Sequence, residues 1–329
     1  MADLMKSLVL DSPDTPFRLV DMPRPKPAAG EVLVRIHGSG VNPLDTKIRA
    51  GKAAHARHPL PAILGIDLAG VVEAVGEGVI GFRPGDAVYG MTGGVGGVQG
   101  SLAQYAAVDA RLLAPTPARL SMREAAALPL AFITAWEGLV DRAGISADQS
   151  VLVLGGAGGV GHVAVQIAQA KGARVFAVDG AAKADYLRSL GATPIDRDES
   201  VDTYVARYTA GKGFDVVYDT VGDTSLDNAF QAVARFGHVV SALGWGTHAL
   251  APLSFKSATY SGVFTLLPLL SGEGRDHHGE IMRAATALAD AGKLTPKLDP
   301  RTFSLDDVAE AHALIDSRQT QGKLVIDVA

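Results

Sequence analysis

The chain has 329 residues, more than twice the roughly 150 of an average domain, so two packed units are expected. Its 30 basic and 35 acidic side chains give a formal charge of −5, with the signs mixed along the sequence, which offers no basic stripe to a nucleic acid. Zero cysteines exclude disulfides, thiolate nucleophiles and cysteine-ligated metals, while a 47% hydrophobic, 20% charged composition predicts large cores.

The opening MADLMKSLVLDSPD carries Asp3 and Asp11 and too short an apolar run for a signal peptide, so a cytoplasmic location is the default expectation. To about Ala114 the pattern is of short strands broken by Pro and Gly: SLVL at 7–10, EVLVRI at 31–36, GVVEAVG at 70–76 and DAVYGM at 86–91. They predict a mainly antiparallel sheet. GGVGG at 93–97 leads into the strand-like QGSLAQYAAV without a helix, and is expected to be a turn or a flexible lid.

After Pro117 the texture changes. A helix is predicted over SMREAAALPLAFITAWEGLVDRAG, where Ser121 caps and Glu124 completes a capping box. Buried-looking strands then recur from Val151, Arg174, Asp215, His238 and Ser261, separated by helical stretches, so their sheet is expected to be parallel. The tail holds a helix over HHGEIMRAATALADAG, a second from Ser304 and a last strand in GKLVIDV, and is expected to pack back onto the first domain. An uncharged window at 151–170 holds five glycines and His162, and a second apolar stretch at 262–272 is too short and contains Pro268, so neither predicts a membrane span.

The sharpest motif is VLVLGGAGGVGHVAVQIAQAKGARVFAVD. Gly156, Gly158 and Gly161 satisfy GxGxxG directly after an apolar strand and before an amphipathic helix, with Gly159 and Val160 completing the loop. A pyrophosphate must approach backbone amides at a helix start, where a β-carbon would block it and the helix dipole favours negative charge. A dinucleotide is therefore predicted. Asp179 ends the second strand, 23 positions after Gly156, where a carboxylate accepts from the adenosine ribose hydroxyls and repels a 2′-phosphate. Lys183 partly offsets that charge, so NADH is slightly favoured over NADPH. Thr220 and Gly222 follow one parallel strand at its carboxyl end, and Leu243 and Gly244 follow another, the edge at which such sheets bind ligands.

These motifs, with GSGVNPLDTKIRAG from Gly38, PAILGIDLAGVVEAVG from Pro61, RPGDAVYG from Arg83, AAALPLAFITAWEGL from Ala125 and FDVVYDTVG from Phe214, resemble the medium-chain dehydrogenase/reductase superfamily, in its zinc-free quinone oxidoreductase-like branch. The resemblance covers nearly the whole chain. It implies an α/β fold: a GroES-like, β-rich substrate domain (1–130, completed by 268–329) and a Rossmann doubly wound parallel sheet (131–267), with the cofactor in the cleft between them. It also implies a homodimer paired through outer strands, here near 262–267.

The resemblance further implies site residues. The zinc ligands of metal-dependent relatives fall here at Asn42, Ile66 and Leu130, and neither Ile66 nor Leu130 can ligate a metal. Without a Lewis acid, acceptors that spread incoming charge by conjugation are favoured, namely quinones and α,β-unsaturated carbonyls. Asn42, Asp45 and Lys47 are the implied catalytic residues, Asn42 donating to a carbonyl oxygen and Lys47, where many relatives carry tyrosine, donating or supplying a proton. Asp67 is expected to be structural. Thr134 matches a position beside the nicotinamide or pyrophosphate, and Lys323 a lysine that approaches the cofactor from the tail. Trp245, Tyr260 and Phe264 are candidate apolar walls, and His55, His58, His277 and His278 read as solvated loop histidines. Reduction of an enoyl thioester, or a weakly catalytic nucleotide-loaded redox sensor, are the competing functions.

Overall fold

The structure, a computed structural model, describes residues 3–328. In chain order, the first strands are β1 (Leu4–Leu10), β2 (Arg18–Pro23), β3 (Glu31–Val41), β4 (Ala62–Ile63), β5 (Asp67–Val75), β6 (Ala87–Met91), β7 (Tyr105–Asp109) and β8 (Ala114–Pro115). A second group follows: β9 (Ser150–Leu154), β10 (Arg174–Asp179), β11 (Thr193–Asp196), β12 (Phe214–Asp219), β13 (Val233–Ser241) and β14 (Thr259–Gly262), and the tail adds β15 (Phe303–Ser304) and β16 (Leu324–Asp327). The chain divides into two compact units, Met1–Leu130 with Leu266–Gly292 and Pro296–Ala329, and Ala131–Thr265 with Lys293–Thr295.

The first unit is β-rich. One small sheet has the order β2-β1-β4, and a seven-stranded sheet runs β15-β16-β3-β5-β6-β8 with β7 also on β3. Pairing is antiparallel throughout except between β15 and β16. The tail strand β16 lies directly against β3, with Leu324 opposite Val41, so the end of the sequence completes a sheet begun near its start. Alternation buries Val32, Val34 and Ile36 on the long strand β3, as period-2 patterning requires.

The second unit carries a six-stranded, wholly parallel sheet in the order β11-β10-β9-β12-β13-β14. Numbered within the sheet this is 3-2-1-4-5-6, the doubly wound order that puts a ligand crevice where the winding reverses, beside β9 and β12. Every residue of β9 is buried because helices cover both faces, which is why it reads as an unbroken apolar run. Phe176, Tyr204, Phe214 and Phe230 fill one side of the sheet.

Three expectations need adjustment. The helix over 121–144 is broken into α1's successors rather than continuous: taking the helices in order, α1 is Pro43–Arg49, α2 Met122–Ala126 and α3 Pro129–Trp136, followed by a π turn over Glu137–Arg142. Pro129 lacks an amide donor and ends α2, although the Ser121–Glu124 capping box stands as expected. The strand expected from Ser261 stops at Gly262, and Pro268 starts a short helix at Leu267–Ser271. Finally, the GGVGG loop is packed, not a free lid: Met91 to Val95 are buried, and Gly96 donates to the Ala56 carbonyl at 2.9 Å. Among the described residues no helix is long and apolar enough to cross a membrane.

Candidate active site

The glycine loop joins β9 to the helix α4 (Gly161–Ala170). Gly155 and Gly156 both donate to the Val178 carbonyl, at 2.9 and 3.1 Å, which lays the loop across the end of β10. A β-carbon on Gly156 would lie 2.6 Å from that of Ala177, and one on Gly161 would overlap the Gly155 carbonyl, so both glycines are packing requirements. Gly158 differs. It is exposed, as is Gly159, and a β-carbon there would meet only the Gly155 carbonyl at 3.1 Å. The outer turn of the loop thus leaves open the space in which a pyrophosphate would meet backbone amides and the start of α4, and a dinucleotide fits the residues present.

His162 is buried beneath this turn, its Nδ1 2.9 Å from the Gly158 carbonyl. Because a carbonyl only accepts, Nδ1 carries the proton. Asp179 is tied to the same loop, one carboxylate oxygen accepting from Ala157 N at 2.9 Å and the other from Gly180 N at 2.8 Å. Each oxygen keeps a further acceptor position for a ribose hydroxyl. Lys183 is exposed just beyond, and the Arg197 guanidinium stands 3.3 Å from where a β-carbon on Gly180 would be. The sequence reading missed Arg197 because it follows β11, a strand that was not foreseen.

At the carboxyl ends of β12 and β13 one buried carboxylate organises both loops. Asp219 accepts from the amides of Val221 and Gly222, at 3.1–3.2 Å, and from Ser241 Oγ at 2.8 Å, while Leu243 N donates to that same Oγ. Thr220 Oγ1 donates to the Leu154 carbonyl at 2.7 Å, joining the β12 loop to the end of β9. Gly222 sits at φ +82°, with Leu243 O 2.9 Å from its would-be β-carbon. A β-carbon on Gly244 would overlap the Tyr260 hydroxyl. Thr220, Gly222, Leu243 and Gly244 are therefore brought together with the glycine loop at one edge of the sheet. Thr134 is buried in the same unit, its hydroxyl 3.1 Å from that of Thr265 and its carbonyl accepting from Tyr218 Oη at 2.7 Å.

The second group of candidates lies in the first unit. Because β16, β3 and β5 are neighbours, with Leu324 opposite Val41 and Gly40 opposite Asp67, the residues Lys323, Asn42 and Asp67 fall at one end of three adjacent strands. Asn42 Nδ2 donates to Asp67 Oδ2 at 2.9 Å, and Lys323 Nζ donates to Asn42 Oδ1 and to the Val41 carbonyl at 3.2 Å. Asp67 Oδ1 accepts from Leu130 N at 2.9 Å. Asn42 also precedes α1, where Asp45 reaches back to accept the Asn42 amide at 2.8 Å. Asn42, Asp45 and Asp67 are all buried.

Electrostatics follow from that burial. Desolvation pushes the Asp45 carboxyl up to about 7, with the neighbouring Asp67 charge adding to the rise and the Asn42 amide opposing it. Asp67 is pushed up to about 6 by burial, held back by Lys323, Asn42 and the Leu130 amide. Lys323 is lowered by its own burial, against the pull of both carboxylates. Lys47 is not in this group: α1 turns Asp45 inward and leaves Lys47 exposed. At the positions of the relatives' metal ligands, Ile66 is a wholly buried apolar side chain and Leu130 offers only its amide, so the residues do not fit zinc. No group of three or more metal-capable side chains occurs among the described residues. Trp245 packs edge-on against Phe264, and Tyr260 against Phe230.

Two family patterns match the chain. The alcohol dehydrogenase GroES-like domain pattern matches residues 28–118, and the zinc-binding dehydrogenase pattern matches residues 190–326. A 2-methylene-furan-3-one reductase of Solanum lycopersicum is 38% identical over 90% of this chain and 71% of its own length. An NADPH-dependent alkenal/one oxidoreductase of Arabidopsis thaliana is 35% identical over 90% and 72%, and a quinone oxidoreductase of Sus scrofa 30% over 93% and 92%. Among solved structures, an alcohol dehydrogenase superfamily protein from Novosphingobium aromaticivorans superimposes with a TM-score of 0.97 at 60% identity, covering 99% of this chain and 100% of that one.

Proposed function

The chain belongs to the medium-chain dehydrogenase/reductase superfamily, in its quinone oxidoreductase-like branch, and from that premise we propose how its residues carry out the reduction of a quinone or an α,β-unsaturated carbonyl. The observation that carries this reading is the open outer turn at Gly158 and Gly159, between a packed β9 and α4, with Asp179 anchored beside it. When bound there, NAD(P)H supplies the hydride that adds to the conjugated system, a proton completing the reduction as the cofactor leaves oxidised.

The loop amides and the start of α4 hold the pyrophosphate, and Asp179 the adenosine ribose. The strand-end loops of Thr220 to Gly222 and of Leu243 and Gly244, fixed by Asp219, border the remainder of the dinucleotide, with Thr134 beside the nicotinamide end and Lys323 approaching from the tail. Asn42 donates a hydrogen bond to the acceptor's carbonyl oxygen as negative charge develops on it, Asp45 fixes the turn that carries Asn42, and the proton comes from Lys47 or water. No metal enters this chemistry, because conjugation spreads the charge that zinc would otherwise stabilise.

The finer choice of cofactor rests on charge. Asp179 disfavours a 2′-phosphate, while Lys183 and Arg197 oppose it, so a modest preference for NADH is expected. The assembly we propose is a homodimer paired through β14. Loss of reduced-nicotinamide absorbance with a simple quinone, an enone and an enoyl thioester, chelator present, tests the activity. Chelator-insensitive turnover of the quinone or enone is the expected result. Turnover of the thioester alone, or of none of them, overturns it. In the same assay Asp179→Asn should raise the NADPH-to-NADH ratio of kcat/KM, by about threefold to tenfold for one charge at this distance, and Arg197→Met should lower it. Ratios that do not move would remove both residues from the ribose site.

A further inference from the structure

His248 stands with an acceptor at each end of its ring. Its Nδ1 lies 2.8 Å from Asp227 Oδ1 on the helix Thr224–Ala232, and its Nε2 lies 3.2 Å from the Trp245 carbonyl oxygen. A carbonyl and an ionised carboxylate only accept, so both ring nitrogens carry protons and the ring is an imidazolium. The surroundings agree. The ring is held above the ordinary histidine value chiefly by the Asp227 hydrogen bond, with the Trp245 carbonyl and the charges of Asp227 and of Asp219, at the end of β12, adding to it. Phe230 meets the imidazole edge-on, and behind it Tyr260 on β14 has its phenol raised by burial and so stays neutral.

The bridge closes the loop that follows β13. That loop is fixed at its start, where Leu243 N donates to Ser241 Oγ and Ser241 Oγ to Asp219. Its far end is held through His248, which folds back onto the Trp245 carbonyl three residues earlier. Gly246, between them, sits at φ +106°, a conformation glycine adopts freely and one that lets the Trp245–Gly246 peptide rotate once its carbonyl is released. Loss of one proton leaves the imidazole a single N–H. The carboxylate is the stronger acceptor and keeps it, so a bare Nε2 then faces the Trp245 oxygen and the turn opens. We propose that His248 is a positioning residue: as an imidazolium bridging Asp227 and the Trp245 carbonyl, it holds the 243–245 turn in the form that borders the dinucleotide, so the reduced cofactor binds the protonated protein more tightly. The inference rests on the reading of this loop as part of the cofactor site, and adds to that reading a proton coupled to binding. By linkage, if protonation tightens binding, bound cofactor must strengthen the hold of His248 on its proton by the same factor.

The test uses the full-length protein and NADH, which has no 2′-phosphate to change its own charge over the range read. A carbon–proton spectrum of the cofactor-free protein follows the His248 ring, assigned with His248→Phe. The ring should titrate above 6.5, the ordinary histidine value, and Asp227→Asn, which keeps an acceptor and removes the charge, should bring the midpoint down. Fluorescence titration should give an NADH Kd about threefold to tenfold weaker above that midpoint than below it, the size of one charged hydrogen bond. In Asp227→Asn the same weakening should move to the lower midpoint, a shift that a merely structural role would not produce. His248→Phe should bind NADH at every pH as weakly as the deprotonated parent. With NADH bound, the parent's histidine midpoint should rise by the matching amount, about half to one pH unit. Asp227 is about half exposed, so Asp227→Asn keeps the test readable if His248→Phe does not fold.

A His248 ring that titrates at or below 6.5, or an NADH Kd that stays flat across the midpoint, overturns the proposal, as does a pH dependence that does not move in Asp227→Asn. A parent protein that binds no reduced nicotinamide at any pH overturns the cofactor reading and the coupling together. The two failures are distinguishable, because the His248 midpoint and its fall in Asp227→Asn still report the bridge in the cofactor-free protein.

Discussion

Asp45 has one carboxylate oxygen on the Asn42 amide and the other buried without a hydrogen-bond partner. Its carboxyl, pushed up to about 7 chiefly by burial, therefore binds a proton in the folded chain at pH values where the unfolded chain, near 3.8, has released it. The folded state holds more protons than the unfolded one between about pH 4 and 7, so this residue's contribution to stability is largest at the acid end and is lost as pH rises through that window. Asp67, at about 6, acts in the same direction. Asp45→Asn keeps an acceptor for the amide and removes the buried charge. It should raise stability at pH 8 by on the order of 1–3 kcal/mol, less than the whole pKa shift implies because the unpaired oxygen becomes an unpaired amide. The gain should shrink towards pH 5. Thermal melting of the two proteins at both pH values decides it, and a destabilised variant at pH 8 would mean that the carboxylate is better paired than its geometry shows.

The glycine loop separates two uses of one residue type, and substitution should separate them too. Gly161 faces the Gly155 carbonyl so closely that Gly161→Ala must move backbone, and it should cost about 2–4 kcal/mol of stability, as overpacked or strained sites do. Gly158 is exposed, its φ is not in the left-handed region and a β-carbon there would press only the Gly155 carbonyl at 3.1 Å, so Gly158→Val should lose less stability than Gly161→Ala. Its side chain would stand where the pyrophosphate lies, and fluorescence titration should show cofactor Kd at least tenfold weaker. Equal losses of stability in both variants would mean that the turn is packing alone. This motif was legible in the sequence because all its parts are local: strand, loop and helix follow one another over 29 residues. The edge strand β11 was not, since TPID has one fully buried residue and an interior proline. The broken helix after Ser121 was half legible: Pro129 marks the break, but the π turn beyond it reflects Gly138 pressed against Tyr218, a contact no local pattern announces. Least legible was the Asn42 cluster. Its members lie 25 and 281 positions apart, and only the register of β16, β3 and β5 makes them neighbours.

At the scale of the whole molecule, the six-stranded sheet ends in two edges of different character. β11 carries Pro194 and Asp196, a proline that cannot donate to a ladder and a charge that resists burial, the ordinary guards of an edge meant to stay single. β14, TYSG, carries neither and has Thr259, Tyr260 and Gly262 exposed. An unguarded row of amides and carbonyls is a template for another strand, and a two-fold axis through it pairs each residue with the same segment of a second copy. That asymmetry favours a homodimer formed through β14, displaced towards the start of the apolar 259–267 stretch from the 262–267 strand that sequence suggested. Thr259→Lys sets like charges facing one another across such an axis and should convert dimer to monomer at micromolar concentration, whereas Thr193→Lys on β11 should leave the mass unchanged. Light scattering after size-exclusion chromatography reads both. A parent protein that elutes as a monomer, or a dimer that Thr193→Lys dissociates and Thr259→Lys does not, would place the interface elsewhere and leave the open edge of β14 without a partner.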